Sequence, residues 1–224
     1  RAATVALARR LCETRRMTAS SVRRVSIVLF DGFELLDVFG PLELLSIEPE
    51  RIEVELVGPR AGSVASSQGA EVVAPIAYAE AGAPDIVLVP GGAGTRRLVH
   101  DAAFLDWLRS WSLDAALVTS VCTGSAVLAA AGLLEGRRAT SNKLAFAWAA
   151  GHGGDVDWAP SARWVEDGDR WTSSGVAAGM DMTAALMDRI LGDGAGTRAA
   201  AVAELELHLD ADRDPFARSS GLIS

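Results

Sequence analysis

Short, mostly apolar runs alternate along this chain with segments of helical period. Val25–Phe30, Asp85–Val89 and Ala116–Val121 are short and rich in β-branched residues, the pattern of strands covered on both faces. Ile52–Val57 alternates charged with apolar residues, as a strand with one wetter face does. Between these runs the period changes. Asp101–Ser110 places Phe104, Leu105 and Leu108 on one helical face, Gly179–Leu191 does so with Met182, Leu186 and Ile190, and an alanine-rich stretch from about Thr197 to Leu209 predicts a closing helix. Because proline is tolerated in a first helical turn, Pro41 fits a helix from about Asp37 or Gly40 to Ser46. Thr140-Ser141-Asn142 can cap a helix over Lys143–Ala150. Ala70–Ala74 fits one strand of a short hairpin, and Ala162–Val165 with Arg170–Ser174 forms a second around the charged tip Glu166-Asp167-Gly168-Asp169. Strands alternating with helices predict an α/β fold, a mostly parallel sheet with helices on both faces.

The joint between Ser120 and Gly124 is where chemistry is expected. A strand that passes into a small-residue helix through Val121-Cys122-Thr123 leaves Cys122 in a sharp turn, the geometry of a nucleophile elbow. A free thiol has a pKa of about 8.5, and a helix N-terminus can lower it to between ~3.5 and 7.5. The competing reading makes Cys122 a small buried hydrophobe. Asp37, among Leu35, Leu36, Val38 and Phe39, is expected to be buried or to form a pocket wall, with a helix N-cap as the alternative. Gly91-Gly92 follow a strand that stops at Pro90, where backbone N–H groups can approach a ligand or an oxyanion; no lysine-serine pair follows, so a phosphate loop is weakly supported. In parallel sheets ligands bind beyond the carboxyl ends of the strands, which brings Asp37, Gly91, Gly92 and Cys122 to one edge.

The 224 residues suffice for one domain, expected over residues 25–210 with a C-terminal tail at 211–224. A net charge of −8 argues against nucleic acid and anionic membranes as partners, and is compatible with a small neutral substrate. Cys12 and Cys122 imply no disulfide framework, which suits a reducing, cytoplasmic setting. In residues 1–24 seven arginines face the single acid Glu13, so this segment is expected to be a disordered basic extension, with a transit peptide as the alternative and Met17 as a possible natural start.

Five motifs occur in order between Val25 and about Asp193: Leu36-Asp37-Val38-Phe39-Gly40-Pro41, Asp85–Gly94, Val121-Cys122-Thr123-Gly124-Ser125, Gly132–Thr140, and Thr172–Val176 with Ala178-Gly179-Met180-Asp181. Together they resemble the ThiJ/PfpI superfamily, a flavodoxin-like relative of class I glutamine amidotransferases, and within it the isonitrile hydratase branch. The resemblance implies a flavodoxin-like fold and catalytic roles for Asp37, Cys122 and Thr123. It also implies homodimers that act on a small molecule with no cofactor and no metal, here by hydrating an isocyanide to an N-substituted formamide. Gly91, Gly92 and Asn142 are the expected substrate- or oxyanion-binding residues. The sequence departs from many superfamily members at Asn142, followed by Lys143, where a histidine often stands; His100, His152 and His208 do not follow the elbow closely. A Cys-His peptidase mechanism is therefore disfavoured, since it needs a group to protonate a leaving amine and activate water. Two anions in contact in a dry pocket are also disfavoured, so Asp37 is expected to be protonated or to share its proton with Cys122. Similar motifs occur in sensor domains of AraC-type regulators, but the residues after Leu191 are too few and too acidic for a helix-turn-helix pair, which leaves a stand-alone sensor. A glyoxalase or deglycase is the third reading.

Overall fold

The structure, a computed structural model, describes residues 22–223. The basic extension, Cys12 and Met17 therefore lie outside the described residues, apart from the last arginines, which open the first strand. Seven strands form the central sheet: β1 (Arg23–Val28), β2 (Ile52–Gly58), β5 (Ile76–Ala77), β6 (Ile86–Val89), β7 (Leu117–Ser120), β10 (Trp164–Asp167) and β11 (Arg170–Ser173). Their order is β10-β11-β7-β6-β1-β2-β5, and every pair is parallel except the β10–β11 hairpin. Two small sheets sit beside it, the hairpin β3 (Gly62–Ala65) with β4 (Glu71–Ala74) and the parallel pair β8 (Arg137–Ala139) with β9 (Val156–Trp158). This is the flavodoxin-like α/β architecture.

Chain direction places the helices. From β1 to β2 the chain steps one way across the sheet, and from β6 to β7 it steps the other way. Right-handed crossovers therefore put α1 (Leu35–Leu45) on one face and α3 (Ala102–Trp111) on the opposite one. α6 (Ala178–Leu191) and α7 (Ala195–Val202) pack with α1, whereas α4 (Gly124–Ala130) shares the face of α3, whose Arg109 Nε donates to the carbonyl of Ala131. The sheet between these layers is dry. Ile86–Val89 are all fully buried, and burying each such side chain is worth about 1.5–3 kcal/mol. The reversal of direction falls between β1 and β6, the switch point at which a crevice opens beyond the strand ends.

Three expected helices have different bounds. α1 starts at Leu35, so Asp37 is inside its first turn and Glu34 occupies the N-cap position; Pro41 lies in the second turn, where it supplies no N–H to the carbonyl of Asp37. The helix expected over Lys143–Ala150 shrinks to α5 (Phe146–Ala149). The closing helix stops at Val202 because Glu204 takes a left-handed φ of +50° and the Leu205 amide turns back to the Ala200 carbonyl. The segment that follows is extended, and the expected C-terminal tail is packed down. The Ala211 carbonyl accepts the amides of Arg163 and Trp164, Asp214 and Ala217 are buried, and α8 (Phe216–Ser219) closes the described chain. The α2 turn (Thr95–Leu98) and the β8–β9 pair were not anticipated, being too short for periodicity to register.

Candidate active site

Cys122 stands between β7 and α4 with φ of +58°, a left-handed conformation that costs a non-glycine residue on the order of 1–2 kcal/mol. Neighbouring groups hold it there. Its amide donates to the Ser174 carbonyl at 2.9 Å, and its own carbonyl accepts from the hydroxyls of Ser125 (3.1 Å) and Ser141 (3.0 Å). The turn aims the sulfur at the crevice while leaving the residue only 7% exposed.

Asp37 reaches the same point from the opposite helical layer. It is fully buried, and its Oδ2 accepts the Gly91 amide at 2.8 Å, so the side chain does not cap α1. Its Oδ1 has no aligned hydrogen bond, and the group beside the carboxyl is the Cys122 thiol. Gly91 must be glycine for this approach, since a Cβ there would lie 2.6 Å from the Thr123 nitrogen and 2.8 Å from the Cys122 Cβ. Burial raises the Asp37 carboxyl to about 7, more than the Gly91 amide lowers it, and the charge of Glu34 adds to the rise.

The cysteine departs from expectation. Burial, followed by the charge of Asp37, pushes the thiol well above its ordinary range. Hydrogen bonds from the Thr123 amide and hydroxyl and from the Asn142 side chain offset this only in part. A helix terminus on its own would have lowered the value, but the α4 turn faces a dry wall that carries a carboxyl.

Asn142 is fixed for its role. Its Oδ1 accepts the Ala145 amide at 3.1 Å, which leaves the amide nitrogen as the donor facing the sulfur. Its neighbour Lys143 is buried and turned away, with its ammonium on Thr140 Oγ1, Ser141 O and Ala162 O. Thr123 Oγ1 accepts the Gly92 amide at 3.2 Å and lies 3.1 Å from Thr95 Oγ1. The amides of Gly91 and Gly92, expected to cradle an oxyanion, are thus engaged by Asp37 and Thr123. The donors that face the sulfur are the Thr123 amide and hydroxyl and the Asn142 side chain.

A cavity of about 390 Å³ opens over Cys122, Thr123, Asn142 and Gly92, and its other walls are Glu34, Ala93, Arg96 and Val176. None of these lining residues is a histidine. Glu34 and Arg96 were not singled out from the sequence. Glu34 lies ahead of the helix expected from about Asp37 or Gly40; it is the Gln68 amide of the β3–β4 hairpin, bonded to its Oε1 at 2.5 Å, that fixes it at the wall.

Residues 23–189 match the family model described as the DJ-1/PfpI family, well over half of the chain. The chain belongs to the DJ-1/PfpI family. Among curated DJ-1/PfpI relatives, isonitrile hydratase of Pseudomonas putida is 36% identical over 176 residues, 75% of this chain and 72% of that one. The HTH-type transcriptional regulator GbdR of Pseudomonas aeruginosa is 33% identical over 170 residues, 70% of this chain but 46% of the regulator. A solved ThiJ/PfpI family protein from Pseudomonas syringae superposes with a TM-score of 0.78 at 24% identity, covering 94% of this chain and 88% of that one, which bears on the fold. Among the described residues no helix is long and apolar enough to cross a membrane.

Proposed function

We propose that this protein is a cysteine-dependent hydratase that converts an isocyanide to an N-substituted formamide. The observation that carries the reading is the buried pair of Asp37 and Cys122 on a small cavity lined by no histidine. In its monoanionic form the pair holds one proton beside one nucleophile. The sulfur attacks the terminal isocyanide carbon, and Asp37 delivers the proton to that same carbon, giving a thioimidate. The Asp37 carboxylate then takes a proton from water as its oxygen adds to the carbon. The adduct's hydroxyl proton passes to nitrogen as collapse expels the sulfur as thiolate and leaves the formamide, so that isocyanide plus water equals product and the monoanionic pair is restored. The Thr123 amide and Asn142 stabilise negative charge on the sulfur at the start and end of the cycle. The 36% identity with isonitrile hydratase supports the assignment.

The match to GbdR, which spans 46% of that regulator, supports a second reading as a small-molecule sensor domain. Incubation with cyclohexyl isocyanide, and separately with methylglyoxal, separates the possibilities. Formamide from the first that disappears in Cys122→Ala supports the hydratase, and lactate from the second supports a glyoxalase. Binding without turnover of either supports the sensor. Homodimer formation belongs to the proposal as well: Leu36 and Phe39, on either side of Asp37, expose apolar side chains on α1, and sedimentation of Phe39→Glu tests whether they are covered.

A further inference from the structure

Arg96 differs from the other arginines near the site. It is the cation among the residues lining the cavity, yet its guanidinium takes part in no ion pair and no hydrogen bond among the described residues. Its neighbour Arg97 instead donates to the Asp31 carbonyl at 2.9 Å, and Arg163 is paired with buried carboxylates. The Arg96 guanidinium is nevertheless held in place. Its Cζ lies 3.3 Å from the centroid of the Trp148 ring, and Trp148 is braced edge-on by His152 at 4.8 Å. A stacked guanidinium keeps its N–H donors in plane at its rim, free for a planar two-oxygen acceptor, and ordering the side chain in advance lowers the entropy lost on binding. The other reactive and charged groups at the cavity are already engaged, and the sulfur lies near enough for its charge to act on Arg96. Cys122 and Asp37 form the reacting end, and the Glu34 carboxylate is bonded to Gln68 rather than to Arg96.

We propose that Arg96 recognises a carboxylate on the substrate, so that the cavity takes a small molecule with its reacting carbon at Cys122 and an anionic group at Arg96. The reacting end rests on the hydratase reading; the anion subsite does not. A cavity of about 390 Å³ suits a ligand small enough for its two ends to touch both groups. The net charge of −8 makes the overall field unfavourable to anions, so recognition falls to this one fixed cation. The neutral substrate suggested by composition is revised accordingly: the reacting group is neutral and the tail is not.

Alkylation of Cys122 by iodoacetate and by iodoacetamide tests the subsite without reference to isocyanides. The two reagents differ in the carboxylate, and peptide mapping restricts the measurement to Cys122. Relative to the same ratio for a small free thiol, the iodoacetate-to-iodoacetamide rate ratio should be raised in the native protein. It should fall about fivefold in Arg96→Gln and stay unchanged in Arg97→Gln. An unchanged ratio in Arg96→Gln, or an equal fall in both variants, overturns the proposal, the second outcome because it reports only the general field. In parallel, kcat/KM for isocyanoacetate over cyclohexyl isocyanide should fall by a similar factor in Arg96→Gln. Turnover of neither isocyanide would defeat the hydratase reading and leave the alkylation ratio to decide the subsite.

Discussion

The carboxyl of Asp37 lies against the thiol of Cys122, and its charge is the second reason, after burial, that the sulfur holds its proton so firmly. Two elements from opposite faces of the sheet, α1 and the β7–α4 turn, meet there. The pair therefore titrates as a unit, losing its first proton near 7, the value to which Asp37 is raised, and its second far above.

The pH dependence of turnover follows from this coupling. Below about 7 both groups are protonated and no nucleophile exists; above it one proton is shared, the form that both attacks and protonates. We expect kcat/KM to rise through about pH 7 and then level off, and Asp37→Asn to abolish both the inflection and nearly all turnover. A pH-rate profile of Asp37→Asn that kept the wild-type inflection would assign the titration to another group.

The same carboxyl should cost stability. Its value rises from 3.8 in the unfolded chain to about 7 in the folded one, so the folded state binds the extra proton between those pH values. Stability is lost as pH climbs through that window, by on the order of 4 kcal/mol at 1.36 kcal/mol per pH unit. Asn fits the same space and keeps an acceptor for the Gly91 amide. Asp37→Asn is therefore expected to melt higher than the native protein at pH 8 and almost equally at pH 4. Calorimetry at the two pH values checks it, and equal differences at both would contradict the linkage.

Much of this geometry is legible in the sequence. The buried strands, the turn at Cys122 and the convergence of Asp37, Gly91-Gly92 and Cys122 follow from apolar runs and the rule for parallel sheets. What was hidden depends on contacts between segments distant in sequence. Nothing local to Gly91 shows that its amide is taken by a carboxyl 54 residues away, or that burial outweighs the turn at the sulfur. Arg96 carries no motif, and it becomes notable only once Trp148, from the far side of the elbow, is seen beneath it.

Asn142 offers a separate handle on the thiol. Replacement by Asp preserves the oxygen that accepts the Ala145 amide but exchanges the donor facing the sulfur for an anion. We expect the thiol to shift further upward and Cys122 alkylation at pH 8 to slow by about tenfold, one pK unit, with little change in melting temperature. Unchanged alkylation would remove Asn142 from the sulfur's environment.

The last prediction concerns the C-terminal segment. Arg163 is buried with its guanidinium 2.6 Å from Asp181 Oδ2 and 3.9 Å from Asp214, and the other Asp181 oxygen accepts the His208 amide at 2.9 Å. Asp181 on α6 therefore ties β10 and the extended segment to one carboxylate. Burying such ions is costly, so the assembly adds little net stability compared with an apolar replacement, but removing Asp181 takes away the close partner of the Arg163 guanidinium and leaves it only Asp214 at 3.9 Å. Asp181→Ala should destabilise the fold by about 3–5 kcal/mol. It should also speed hydrogen exchange at the His208 amide, which loses its acceptor, more than at the buried strand amides of β6. Asp181→Asn, which can keep the bond to His208 but not the charge, separates the two contributions: its melting temperature should fall while His208 protection relative to β6 persists. Equal loss of protection at His208 and β6 in both variants would mean that the segment unfolds only with the whole domain, and that the carboxylate does not pin it locally.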